Sequence, residues 1–233
     1  EKDPNLSEKN LIAIMRSYER MTMIDKAKSL KERIKTQFPK GQLVRQERLS
    51  AADNNPDLEK GEALLTAFIQ DFPPQTAEEK AMVDRAKSNI CAKIADTHEW
   101  EKFKTKAAQL PAPNRASLYN NIAWELAEKG EDMEMAKSLA AEAVTLSKRE
   151  INEPSVPQPG LITEKERKQI SKVEYGNYLD TYAFVLDKSG DPAAAARYQA
   201  EAIAINEGAE AEFNERYIGY LERSKAPDLR FHM

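Results

Sequence analysis

The sequence has few of the residues on which catalytic and metal sites usually depend. Its 233 residues include one cysteine, two histidines and eight glycines. One cysteine cannot form an internal disulfide, so cysteine content gives no information about the compartment. Glycine-rich phosphate loops, G-x-S-x-G motifs and C-x-x-C motifs are absent from the sequence. These absences argue against phosphate-loop, nucleophile-elbow and dithiol chemistry in this chain.

Long apolar runs and an excess of positive charge are also missing. No apolar run approaches the ~20 residues that a membrane-spanning helix requires, so no membrane span is predicted. The formal net charge is −4, and nucleic-acid binding without sequence preference needs a concentrated basic face. We therefore predict neither nucleic acid nor a membrane span among the partners.

The start of the sequence bears on localisation. The first residue is Glu1 and not Met, which indicates either a removed signal peptide or a segment of a longer protein. The opening residues EKDPN are typical of a mature N-terminus after cleavage. The prediction is a periplasmic or otherwise exported protein, with a cytoplasmic one as the alternative.

The few reactive side chains have simpler explanations than catalysis. The stretch HEWEK begins like a zinc-protease helix, but Lys102 stands where the second histidine ligand must be. His98 is therefore predicted to be a surface or cap residue. Cys91 lies between apolar neighbours and is predicted to fill the core. We predict no catalytic residue, no cofactor and no metal; a hydrolase with paired carboxylates is the least favoured alternative.

The residues that are abundant favour helices. Apolar residues make up 41% and charged residues 32%, with only eight glycines, which favours a charged helical protein over a β-sandwich or barrel. Apolar residues recur at helical spacing along most of the chain. About eleven helices are predicted, with a break near residues 21–25 and a proline-rich loop inserted at 151–163. Local start and stop signals are predicted at Thr76 with Glu79, Asn114, Gly130, Thr163 with Glu166, and Asp191 with Pro192.

Similar residues recur at a spacing of 34 residues in the first part of the chain. Pro39 and Pro73 each follow a phenylalanine, and they lie 34 residues apart. Ala27 and Gly61 have the same separation, as do Ile34 and Phe68. The chain therefore resembles the tetratricopeptide repeat family, whose unit is two antiparallel helices. The resemblance implies an all-α fold, an α-α superhelix of antiparallel helix pairs.

Later segments continue the pattern with insertions. Small residues recur where two helix axes would have to approach closely, which requires a small side chain. The matching positions are Tyr119, Ile122, Ala123, Leu126, Gly130, Ala136, Ala140 and Ala143, and then Tyr182, Ala183, Leu186, Gly190, Ala195 and Ala202. We predict one helical-repeat domain over residues 1–225, followed at 226–233 by a tail or the start of a linker.

The C-terminal half has a second resemblance. The segments NIAWELAEKGEDMEMAKSLAAEAVTLSK and YLDTYAFVLDKSGDPAAAARYQAEAI are similar to the helical region preceding the thioredoxin domain of bacterial periplasmic thiol-disulfide interchange proteins. In that family a C-x-x-C pair in the thioredoxin domain does the chemistry. The resemblance implies that this chain is the helical part of such an oxidoreductase, without its catalytic domain.

The tetratricopeptide resemblance also indicates where a ligand would bind. In that family the concave groove is lined by first-helix positions that do not pack against the second helix. Carried over, these positions are Asn120, Trp124, Glu128, Asn177, Asp180, Phe184 and Lys188. The function predicted is a non-catalytic scaffold that binds a protein or peptide, with a second copy of the chain as another candidate partner. The alternative for Trp124 and Phe184 is packing between neighbouring repeats.

Overall fold

In a computed structural model, which describes residues 6–155, 162–206 and 211–225, every regular element is an α-helix. Within these ranges no residue lies in a strand, which confirms the all-α prediction. Consecutive helices pack in adjacent pairs, as in α1 with α2, α3 with α4, α7 with α8 and α9 with α10. The described part of the chain has eleven helices: α1 (Glu8–Arg20), α2 (Ile24–Gln37), α3 (Gln42–Asp53), α4 (Leu58–Asp71), α5 (Ala77–Ala95), α6 (Trp100–Ala107), α7 (Ala112–Lys129), α8 (Met133–Glu150), α9 (Glu164–Lys188), α10 (Pro192–Ile205) and α11 (Ala211–Lys225).

The chain divides into two compact units, Glu1–Lys93 and Ile94–Met233. The boundary lies near the end of α5. Residues 156–161 of the predicted loop insertion and the whole predicted tail at 226–233 lie outside the described residues. The extent of the repeat domain as one body over 1–225 stays a prediction.

One buried cluster of the first unit is formed by the apolar faces of α1 and α2 together with Leu43 of α3. Residues spaced three or four apart on each helix point to one side, as an amphipathic helix requires. Leu11 and Ile34 are completely buried. The buried cluster is Leu11, Ile12, Met15, Ala27, Leu30, Ile34 and Leu43.

Small residues lie at the helix crossings, as the sequence predicts. Ala136 and Ala195 are completely buried, and Ala27 is 5% exposed. Gly61 is buried on α4, and a Cβ atom added there would lie 3.0 Å from the carbonyl oxygen of Ala52 at the end of α3. A larger side chain at Gly61 would press on the backbone at the end of α3.

The second unit has two buried clusters around α9. One joins α9 to α10 and α11 through Ala183, Leu186, Ala195, Ala196 and Tyr220. The other contains Tyr175, Leu179, Ala202 and Phe213. Because both clusters include an aromatic side chain of α11, this last helix is held against α9 and α10 by apolar contacts.

Most of the predicted helix boundaries are confirmed. Thr163 and Glu166 form a capping box at the start of α9, in which the Glu166 amide donates to the Thr163 hydroxyl and the Thr163 amide donates to the Glu166 carboxylate. Gly130 ends α7 with φ +69°, where glycine avoids Cβ strain. Asn114 is not the cap of α7, so that prediction is wrong. The helix begins at Ala112, because Pro113 in its first turn has no amide hydrogen to leave unpaired.

A group of side-chain contacts between helices shares a nearly constant sequence separation. Within the described ranges, six pairs joined by side-chain hydrogen bonds are 34 or 36 residues apart. They are Glu8–Gln42, Arg45–Glu79 and Asp53–Asn89 in the first unit, and His98–Asp132, Asp180–Arg216 and Asp187–Arg223 in the second. This separation is the length of one helix pair with its turns, so equivalent helices of successive pairs lie side by side.

The capping carboxylate of Glu166 predicts a pH dependence. Hydrogen bonds from the Thr163 amide and hydroxyl lower the pKa of Glu166. A lowered folded-state pKa contributes stability above the unfolded-state value of about 4.3, and this stability is lost as the pH falls through the folded-state pKa. Glu166→Gln should therefore lower the melting temperature at pH 7, and the loss should become smaller as the pH is lowered to 3. Thermal unfolding followed by circular dichroism at both pH values measures this. The control is Glu134→Gln, in the first turn of α8, where the side chain is 89% exposed; an equal pH-dependent loss in the control would contradict the assignment.

Candidate functional site

Two predicted groove residues, Trp124 on α7 and Phe184 on α9, lie against each other. Their ring centroids are 4.4 Å apart and their planes differ by 25°, which is a stacked arrangement. Both side chains are half-buried. They are 60 residues apart, and each precedes its helix-terminal glycine, Gly130 or Gly190, by six residues. The insertion between them therefore preserves equivalent positions on neighbouring helices.

Arg216 of α11 contacts this aromatic pair. It was not among the residues predicted from the sequence. Its guanidinium lies 5.8 Å from the Trp124 ring centroid and 5.4 Å from that of Phe213. The same guanidinium donates two hydrogen bonds to the Asp180 carboxylate, at 2.9 and 2.8 Å. A planar guanidinium can bond a carboxylate and stack on an aromatic ring at the same time. Arg216 thus joins α7, α9 and α11.

Asp180 is a buried carboxylate with internal partners. It is 5% exposed, and besides Arg216 it accepts a hydrogen bond of 2.7 Å from the amide of Gln199, which is completely buried. A buried charge is tolerated when it is paired and hydrogen-bonded. The carboxylate predicted to face a ligand is used here to hold α9, α10 and α11 together.

A second arginine–aspartate pair repeats the first one two helical turns further along. Arg223 donates hydrogen bonds of 2.8 and 2.9 Å to the Asp187 carboxylate. This pair is more exposed, since the Arg223 side chain is 54% accessible. Both pairs join α9 to α11, seven residues apart on each helix, so the two helices are aligned in one register.

An open cleft of about 600 Å³ lies between α9 and α11 beside these pairs. Tyr220 forms part of its wall, is 1% exposed, and burial raises the pKa of its hydroxyl. Among the described residues that hydroxyl has no hydrogen-bond partner. Lys188 lies at the cleft with its ammonium 5.4 Å from the Phe184 ring centroid. We call the surface formed by Trp124, Phe184, Lys188, Arg216, Tyr220 and Arg223 the α7–α9–α11 groove.

The other three predicted groove residues are placed differently. Asn177 is exposed and accepts a hydrogen bond of 3.2 Å from the side-chain amide of Asn206, at the end of α10. Asn120 is half-buried, and its side-chain oxygen has no hydrogen-bond partner among the described residues. Glu128 is exposed at the end of α7.

The candidate reactive residues lie elsewhere in the fold. Cys91 is 3% exposed, which confirms its predicted place in the core. His98 is on the surface, where its Nδ1 lies 2.6 Å from the Asp132 carboxylate, which also accepts from the Trp100 indole at 3.2 Å. In the described part of the chain no group of three or more His, Cys, Asp or Glu side chains could hold a metal ion. No helix in the described ranges combines the length and apolarity needed to cross a membrane.

Comparison of the chain with protein-family models, curated proteins and solved structures gave no match. The resemblances to tetratricopeptide repeats and to the helical region of thiol-disulfide interchange proteins therefore stay predictions.

Proposed function

We propose that the protein is a non-catalytic helical-repeat scaffold that binds a protein or peptide segment in the α7–α9–α11 groove. The observation that carries the proposal is the stacked Trp124–Phe184 pair beside an open cleft. Large aromatic side chains supply much of the binding energy at protein interfaces. Here two of them remain half-exposed although they already contact each other.

The charges around the pair support binding of a peptide. Asp180 and Asp187 are each neutralised by an arginine, so the groove wall does not present two bare carboxylates. The cation–ring contacts of Lys188 with Phe184 and of Arg216 with Trp124 favour the stacked arrangement of the two rings. A preorganised surface loses less conformational entropy on binding. The helix pairs with contacts at 34 or 36 residues are the architecture expected of a repeat scaffold.

The test is the selection of peptides from a displayed library against the whole chain, followed by measurement of their dissociation constants. Trp100→Phe leaves Trp124 as the single tryptophan, whose fluorescence then reports binding at the groove directly. We expect the double variant Trp124→Ala with Phe184→Ala to bind a selected peptide about thirtyfold more weakly. The reason is that truncation of an aromatic anchor costs about 2 kcal/mol or more of binding free energy.

The control for this test is Ile218→Ala. Ile218 is an exposed apolar residue of α11, and it does not line the cleft. Circular dichroism must show that all variants keep their helices. Unchanged affinity in the folded double variant, or no change in Trp124 fluorescence on binding, would remove the groove as the binding surface.

A further inference from the structure

The first unit contains a second cavity, which is separate from the groove. It lies between the first turns of α3 and α5 and the end of α4, and its volume is about 390 Å³. Small-molecule sites in proteins have volumes of about 300–1,000 Å³ and are mostly apolar. The cavity is therefore large enough for a small ligand.

The floor of this cavity is apolar. Phe68, Phe72 and Val83 are each at most 6% exposed, and the rings of Phe68 and Phe72 stack at 5.3 Å. Leu49 and Met82 continue the apolar wall, and Met82 remains 48% exposed at the mouth. Covering this surface with an apolar ligand would remove it from water at a gain of roughly 25 cal/mol per Å².

The two carboxylates in the cavity wall have partners within the protein. The Glu8 carboxylate accepts hydrogen bonds from the backbone amides of Gln42 and Leu43, at 2.9 and 3.0 Å, and so caps α3. Glu79 pairs with Arg45 and accepts from the Gln75 amide at 2.7 Å. The Arg45 guanidinium compensates the Glu79 charge, while the Glu8 carboxylate lies at the N-terminus of α3, the positive end of that helix.

Lys40 is the remaining charged residue of the wall. It is exposed at the turn between α2 and α3, and it makes no hydrogen bond or ion pair with any other described residue. Lys40 therefore places one positive charge, without a partner among the described residues, beside the apolar surface of the cavity. This arrangement complements a ligand that has one negative charge and an apolar body.

We propose that this cavity binds a small amphipathic anion, such as a medium-chain carboxylate. Its apolar body lies over Phe68, Phe72 and Val83, and its head group lies at Lys40. This site does not depend on the groove, since all of its residues belong to the first unit.

The experiment titrates the whole chain, labelled with ¹³C at the methionine methyl groups, with sodium decanoate below its micelle concentration. Met82→Leu identifies the Met82 methyl resonance. We expect a saturable one-to-one shift of that resonance. Decyltrimethylammonium, which has the same chain and the opposite charge, should bind at least fivefold more weakly. A resonance that does not shift, or equal binding of the two amphiphiles, would overturn the proposal.

Two variants locate the ligand in the cavity. Lys40→Gln should weaken the binding of decanoate about fivefold, because one exposed ion pair is lost. Met82→Trp places a bulky ring at the mouth and should weaken it at least tenfold; because Met82 is half-exposed, the substitution leaves the core intact. The control is Lys28→Gln, an exposed lysine of α2 away from the cavity. Isothermal titration calorimetry measures all four proteins, and affinities that agree within twofold would refute the site.

Discussion

Arg216→Ala is expected to lower the free energy of unfolding of the second unit by about 3 kcal/mol. Asp180 is 5% exposed in the structure, and without Arg216 its carboxylate keeps only the side-chain amide of Gln199 as a hydrogen-bond partner. Breaking a buried ion pair costs roughly 3–5 kcal/mol, because an uncompensated charge stays buried. We expect a loss near the lower end of this range because the Arg216 side chain is 25% exposed, so the pair is not completely buried. Loss of its contacts with Trp124 and Phe213 adds to the effect.

The matched control is Arg223→Ala, which removes the corresponding arginine from the second pair. That side chain is 54% exposed, and exposed ion pairs contribute about 1 kcal/mol or less. Urea unfolding followed by tryptophan fluorescence reports on the second unit alone, since Trp100 and Trp124 both lie there. Equal losses in the two variants would show that burial does not distinguish the pairs. A double-mutant cycle with Asp180→Asn isolates the coupling energy.

Ala195→Leu should also be strongly destabilising, by about 2 kcal/mol or more. Ala195 is completely buried on α10, packed in one cluster with Ala183, Leu186 and Tyr220. Added methylenes in a well-packed core force side chains and backbone to move, at a cost of typically 1–3 kcal/mol. Because the position lies at the crossing of α9 and α10, the displacement should spread to both helices.

Ala193→Leu tests whether that loss comes from packing. Ala193 lies two residues earlier on the same helix and is exposed. Leucine and alanine have similar helix propensities, and exposed substitutions usually change stability by about 0.5 kcal/mol or less. The same urea titration should leave Ala193→Leu close to the unsubstituted protein. A buried variant as stable as the exposed one would mean that the crossing tolerates large side chains.

Both stability predictions bear on the groove. Its third side exists only while α11 is docked on α9, and the docking depends on the Asp180–Arg216 and Asp187–Arg223 pairs and on the apolar cluster around Tyr220. We therefore expect Arg216→Ala to weaken peptide binding as well as folding. Arg223→Ala removes a more exposed pair, so it should cost less in both stability and peptide binding than Arg216→Ala.

The helices and their boundaries were largely readable from local signals. The Thr163–Glu166 capping box and the left-handed Gly130 act within a few residues of themselves, so the sequence around each is sufficient. The Asn114 prediction failed for a local reason too. An asparagine can cap a helix, but the preceding Pro111 and Pro113 are both compatible with an earlier start.

The candidate site could be predicted from the sequence only in part. Trp124 and Phe184 were found through their equivalent positions in the repeat, and the structure stacks them. Arg216 and Arg223 were missed, although each follows an aspartate of α9 by 36 residues. The constant separation of 36 residues was the sequence feature that could have identified them. It predicts a contact only if α9 and α11 are already known to lie side by side.

The sequence by itself determined that the chain is helical and where its helices cross, since periodicity, caps and small side chains act over one or two turns. Only the tertiary structure decided which side chains meet across the helices. The partners of Trp124 and Asp180 lie 60 and 36 residues away, and their contacts depend on how each helix is rotated about its axis. Rotation is set by the packing of all neighbouring side chains together. For this reason the aspartate predicted to face a ligand is instead buried under an arginine.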